Sequence, residues 1–192
     1  MMKKFSILFA AIIIVTLLVV GHAAAMPAFK EVHTTEYLCI VDYSGADLWE
    51  SGNVHHGRNS AEHYSVTSDD EPRVVGPMEI SVNWNIHLRR GEGPSWGTFY
   101  RDVPAKGGAW TGTWNGKLHL TFGPDGSPFW LLDGHAVGHG LGDFEGKELR
   151  LELHQEIYDP ADGHLCDFYG LEEPMLPVRL QNTGYIIENA GD

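Results

Sequence analysis

Cysteine is nearly missing from this chain: there are two among 192 residues. Two thiols cannot build a four-cysteine zinc site or a dense disulfide scaffold. Basic side chains are also scarce, 13 against 26 acidic ones, for a formal net charge of −13. That balance argues against non-specific nucleic-acid binding. No segment carries a 3.6-residue apolar stripe sustained over ten or more residues, so no long amphipathic helix is expected. Glycine is abundant, 23 residues, but shows no three-residue period, which excludes a collagen-like chain.

Familiar chemical motifs are missing as well. Gly138-His139-Gly140-Leu141-Gly142-Asp143-Phe144-Glu145-Gly146 is glycine-rich but has neither the dinucleotide spacing nor a Walker lysine. There is no G-x-S-x-G nucleophile elbow. The acidic loop Thr67–Glu71 lacks the spaced carboxylates and central glycine of a calcium loop.

What is present begins at the N-terminus. Lys3 and Lys4 precede an uncharged apolar run from Phe5 to Val20, and Ala23-Ala24-Ala25 follows. A basic start, an apolar middle and an A-x-A ending form the pattern of a secretory signal peptide. Cleavage after Ala25 divides the chain into a signal peptide, 1–25, and a single domain, 26–192. The alternative is a retained anchor, since Phe5–Met26 nearly spans a bilayer. No Cys follows the cleavage site to carry a lipid. No later apolar run reaches 18 residues, so no membrane association is expected after cleavage. The expected location is the periplasm or the medium.

Export changes the meaning of Cys39 and Cys166. In an oxidising compartment a pair of cysteines reads as a disulfide. A loop of this length stabilises the fold by about 4–5 kcal/mol in the chain-entropy account. Two buried thiols are the other reading.

The strongest positive signal is alternation. From Met78 to Leu88 the even positions are Met, Ile, Val, Trp, Ile and Leu, while the odd ones are Glu, Ser, Asn, Asn and His. Trp110–Phe122 and Glu148–His154 alternate in the same way. Such runs are half-buried strands. Further strands are expected at Tyr37–Tyr43, Val54–Thr67, Trp96–Val103, Trp130–Gly140 and Val178–Ile187. Turn signals separate them at Gly91-Glu92-Gly93-Pro94, Gly107-Gly108, Gly123-Pro124-Asp125-Gly126 and Asp159–Gly163. The fold class is therefore all-β, a single antiparallel β-barrel of about eight strands. A five-residue turn at 123–127 sets Trp114 opposite Ala136 and Gly112 opposite Gly138. Large residues then meet small ones across a tight interior.

Candidate site residues follow from the faces. Trp84, Trp110 and Trp114 lie on apolar faces and are candidates to line a cavity for a flat or apolar ligand. His56 and Arg58, if they face inward, are candidates to bind an anion or carboxylate. Asp133, His135 and His139 share one strand face, but that face points outward. His135 and His139 also stand about 13 Å apart along a strand, so no metal site and no cofactor are expected.

Trp96-Gly97-Thr98-Phe99, Trp110-Thr111-Gly112-Thr113-Trp114 and Gly138–Gly146 occur in that order. Over Met78 to Leu153 this pattern resembles the glycine-rich strands of the allene oxide cyclase and dirigent-like barrels, in particular exported bacterial relatives. The resemblance implies an eight-stranded barrel with a central apolar cavity. Known members steer the cyclisation or coupling of reactive small molecules largely by shape. No catalytic residue of that group maps onto this chain. Three functions are carried forward. The first is an exported barrel that binds a small apolar or aromatic molecule in its interior. The second is a cofactor-independent cyclase or isomerase, and the third a structural envelope protein with a filled barrel. A homo-oligomer is compatible with each.

Overall fold

The computed structural model describes residues 27–158, 166–171 and 176–188. The expected signal peptide, 1–25, and the turn signal at 159–163 lie outside the described residues. Among the described residues nine strands follow one another: β1 (Ala28–Asp42), β2 (Asp47–Ser51), β3 (Val54–Thr67), β4 (Gly76–His87), β5 (Glu92–Val103), β6 (Gly108–Phe122), β7 (Pro128–Gly142), β8 (Glu148–Ile157) and β9 (Val178–Glu188). They form one antiparallel sheet in the order β1-β9-β8-β7-β6-β5-β4-β3-β2, and β1 also pairs with β3. That last pairing closes a ring through eight strands and gives a barrel-like all-β fold. β2 stands outside the ring, paired to the first residues of β3.

Alternation buries what it should. Met78, Val82, Trp84 and Ile86 of β4 and Leu149, Leu151 and Leu153 of β8 are all buried. Leu88 and Phe122, at the ends of their runs, are exceptions, and Phe122 is 63% exposed. Leu88 falls just past β4 and is 47% exposed. The β6–β7 pairing places Trp114 opposite Ala136, Gly112 opposite Gly138, and Phe122 opposite Pro128 across the five-residue turn. Asp133, His135 and His139 are exposed on the outer face.

Several strands go beyond the sequence expectation, β1 and β2 by the most. β1 starts nine residues before Tyr37, and β2 was not expected at all. β5 begins at Glu92, so Gly93 and Pro94 belong to the strand rather than the turn.

Large side chains inside the ring are admitted by small neighbours. A methyl group on Gly57 would lie 2.2 Å from the Trp84 ring. One on Gly138 would lie 2.7 Å, and one on Gly112 2.8 Å, from the ring of Phe99. These glycines are places where another group approaches the backbone closely.

The two ends of the barrel differ. At one end Val32, Val66, Val74, Val103, Trp110 and Ile186 are fully buried. Each such side chain contributes about 1.5–3 kcal/mol. The 3-10 turn Pro72–Val74 supplies Val74 and helps close this end. At the other end lie the β1–β2 link and the β4–β5 and β6–β7 turns. The segment 166–171 is held to β1 by the Cys39–Cys166 disulfide, across a sequence separation of 127. Tyr169 of that segment donates from its hydroxyl to the carbonyls of Met78 at 3.1 Å and Tyr64 at 3.3 Å. Partial burial pushes the Tyr169 hydroxyl up to about 12.

Candidate functional site: an apolar cavity with a polar floor

Between the packed end and the opposite rim the interior holds a cavity of about 250 Å³. Its wall is mostly apolar, contributed by every strand of the ring. Trp84, Trp114 and Phe99 supply aromatic surface along it, and Phe129, Trp130 and Leu176 border it toward the rim. A dry cavity of about 150 Å³ is enough to hold benzene. By that measure this one admits about ten non-hydrogen atoms.

The sequence candidates separate into two groups. Trp84 and Trp114 line the cavity. Trp110 is not among its lining residues. It is buried in the packed end, stacked on Phe144 at 5.2 Å between ring centroids. Its Nε1 donates to the carbonyl of Arg73 at 2.7 Å.

His56 and Arg58 do not face inward. Arg58 lies on the outer face between the rings of Trp49 and Trp96, at 5.1 and 4.8 Å from their centroids. Its guanidinium donates to the Trp84 carbonyl at 2.8 Å and to Asn85 Oδ1 at 2.9 Å. His56 stacks on Trp49 at 4.8 Å and sits 2.7 Å from Asn85 Oδ1. The cause is a bulge. Gly57 pairs with Trp84 and Ser60 with Val82, so Arg58 and Asn59 together oppose Asn83. Asn59 takes φ +58° there. One extra residue exchanges the faces of the strand. Ser60, Glu62 and Tyr64 point inward, but before the bulge it is Gly57 that does so, not His56 or Arg58.

Side chains not singled out from the sequence give the cavity its polarity. Glu36 and Arg101 are both buried, 2% and 1% exposed, and form an ion pair at the inner end of the cavity. Thr34 donates to Glu36 Oε1 at 3.3 Å, and Asn182 Nδ2 donates to Thr34 at 3.1 Å. Met78 Sδ lies 3.3 Å from Arg101 Nη2. On the wall, the hydroxyl of Tyr64 donates to Glu62 Oε2 at 2.8 Å. Burial pushes the Glu62 carboxyl above its ordinary range, and the Tyr64 hydrogen bond opposes that only in part. Burial also raises the Tyr64 hydroxyl well above the ordinary value, with the Glu62 charge adding to the effect. Gln155 is engaged, accepting from the backbone N–H of Leu132 at 2.9 Å.

For Arg101 and Glu62, though not for Glu36, a signal does exist in the sequence. Phe99-x-Arg101-x-Val103 and Tyr64-x-Val66 behind Glu62 place the charges in step with apolar neighbours. Strand parity therefore points them inward.

Outside the barrel, Asp133 sits 2.6 Å from His154 Nδ1 and 3.6 Å from His119 Nδ1. Among the described residues no group of three or more His, Cys, Asp or Glu is placed to hold a metal ion. No described helix is long and apolar enough to cross a membrane. Comparison of the chain with models of protein families, with curated proteins and with solved structures finds no match.

Proposed function

We propose that this is an exported barrel that binds a small apolar or aromatic molecule in its interior. The observation that carries the reading is the 250 Å³ cavity walled largely by apolar side chains, Trp84 and Trp114 among them. Export is supported by the basic–apolar–small pattern of the first 25 residues and by the Cys39–Cys166 disulfide, which suits an oxidising compartment. The glycine-rich resemblance to allene oxide cyclase and dirigent-like barrels agrees with an interior of this type. A structural envelope protein with a filled barrel draws no support from an interior of this volume.

The test uses the full chain expressed in a bacterial host and recovered from the periplasm or medium. Cumene, a neutral hydrocarbon within the size limit, is titrated against tryptophan fluorescence and thermal unfolding. Saturable fluorescence change and a rise in Tm are expected, with about 2.7 kcal/mol of added stability at one hundred times Kd. No change in either signal up to the solubility limit, with cumene and with its polar counterparts acetophenone and benzoate alike, refutes interior binding. Recovery of the chain with residues 1–25 still attached refutes cleavage.

A cofactor-independent cyclase or isomerase is the second reading, favoured by one observation. Glu62 is an ionisable group on the cavity wall whose titration is displaced upward by burial. Acid–base groups of that kind are concentrated at catalytic sites. Isotope exchange into a bound carbonyl compound, abolished by Glu62→Gln, is the result this reading requires.

A further inference from the structure

The cavity is asymmetric in its hydrogen-bonding capacity. Two residues on its lining have buried side-chain polar atoms that meet no partner among the described residues: Arg101, through Nε and Nη1, and Trp84, through Nε1. All three atoms are donors. On the lining, Glu36, Glu62 and Gln155 each already receive at least one donor, and the unpaired acceptor nearby, Asn182 Oδ1, lies behind Thr34 and off the lining. Glu36 Oε1 receives Arg101 Nη2 and Thr34, Glu62 Oε2 receives Tyr64, and Gln155 Oε1 receives Leu132 N. A pure hydrocarbon seated here would leave these buried N–H groups unpaired. Leaving a buried donor unpaired costs affinity, more so when the donor is charged.

The charge count narrows the class further. Arg101 and Glu36 cancel within one ion pair. Glu62 is pushed toward its neutral form by burial. A carboxylate ligand would therefore bring one uncompensated charge into an apolar enclosure, which is heavily penalised. A neutral acceptor oxygen brings none.

Resting on the interior-binding reading above, we infer that the natural ligand is a neutral apolar carbonyl compound of about ten non-hydrogen atoms, whose oxygen accepts from the Arg101 guanidinium at the inner end of the cavity. Its apolar body lies along Trp84 and Trp114 and points toward Phe129 and Trp130. Arg101 is then a specificity-determining residue, and Glu36 holds it in place.

Three probes of matched size separate the possibilities: cumene, acetophenone and benzoate. Each is titrated by calorimetry into the full recovered chain. Acetophenone is expected to bind at least about tenfold tighter than cumene, the worth of one good hydrogen bond from a charged donor. Its carbonyl carbon, labelled with carbon-13, should move downfield on binding. In the double variant Glu36→Gln/Arg101→Met, which leaves no lone buried charge, that preference should vanish while cumene still binds. The wild-type series decides the matter even if the double variant does not fold. Equal affinity for acetophenone and cumene overturns the inference and leaves interior binding intact. Benzoate binding tighter than acetophenone overturns it in favour of an anion site. Failure of all three probes overturns the interior-binding reading and this inference with it.

Discussion

Ala136→Leu tests the cavity itself. Ala136 is buried on β7, lines the cavity, and faces Trp114 on one side and Leu151 on the other. Leucine adds three carbons directed into a space of about 250 Å³. Burying them contributes about 0.8 kcal/mol each, or about 2.4 kcal/mol together. Loss of leucine rotamer freedom offsets about 0.5–1 kcal/mol of that. The expected net stabilisation is about 1.5–2 kcal/mol. In a filled interior the same substitution overpacks and destabilises by about 1–3 kcal/mol. The sign of the change therefore separates an open barrel from a filled one. Urea unfolding followed by tryptophan fluorescence measures it, and the m-value should be unchanged, since the folded surface is the same. The three carbons also consume about a third of the room for a ligand of about ten heavy atoms. Cumene affinity should fall at least about tenfold. A variant destabilised by more than about 1 kcal/mol, or one that binds cumene as well as the wild type, would sink the argument.

Four further outcomes follow from particular contacts. Replacing Cys39 and Cys166 by alanine opens a loop spanning a separation of 127 residues and should lower stability by up to about 5 kcal/mol in urea titrations; an unchanged midpoint would contradict this. Gly138→Val drives a side chain into the Phe99 ring, 2.7 Å from where its Cβ would sit, and should cost about 1–3 kcal/mol by the same assay. On the surface, the His33 hydrogen bond holds the Asp70 carboxyl down, from 3.8 to about 2, and Asp70 in turn raises His33. The pair's contribution should fade as pH falls from 3.8 through about 2, and again as pH rises past the ordinary histidine value; NMR titration of His33→Asn should show Asp70 returning toward 3.8, and an ordinary Asp70 in the wild type would refute the pairing. Glu62 has the opposite sign, because its folded pKa is raised: wild-type stability should decline relative to Glu62→Gln as pH climbs from 4.5 through the raised value, and parallel pH profiles for the two proteins would count against a buried acid.

Much of the frame is legible because alternation and turn chemistry are local. The Met78–Leu88 and Trp110–Phe122 runs and the five-residue turn after Phe122 were enough to place β4, β6 and β7 and the Trp114–Ala136 register. β2 was illegible for a physical reason. All five of its residues are exposed, so no face is selected for apolar side chains. The first half of β1 hides in the opposite way, since Thr34 and Glu36 occupy its inward positions and erase the contrast between faces. The same effect concealed the polar floor. A charged residue is normally read as the outward member of an alternating pair. Glu36 and Arg101 contradict that rule only because each supplies the other's counter-charge from strands 65 residues apart. Nothing local announces such a partner.

Two single-residue insertions account for the rest, and they act together on what the cavity becomes. In β1 the register slips between Leu38 and Ile40, so Leu38 before the bulge and Val41 after it both face the cavity. The residue set aside by that slip is Cys39, which is joined to Cys166 and so anchors segment 166–171 against the sheet. In β3 the slip before Ser60 turns Arg58 and His56 outward and puts Gly57 inside. Only a residue without a side chain leaves room there for the Trp84 indole. The displaced Arg58 is then used outside, clamped between Trp49 and Trp96, where with the His56–Trp49 stack it holds β2 against the barrel. Without the β3 bulge the same sequence would place a second guanidinium and an imidazole beside Glu62. The interior would become a charged site instead of an apolar one with a single ion pair at its floor. The ligand chemistry of this barrel is therefore set as much by where its strands break register as by which residues they carry.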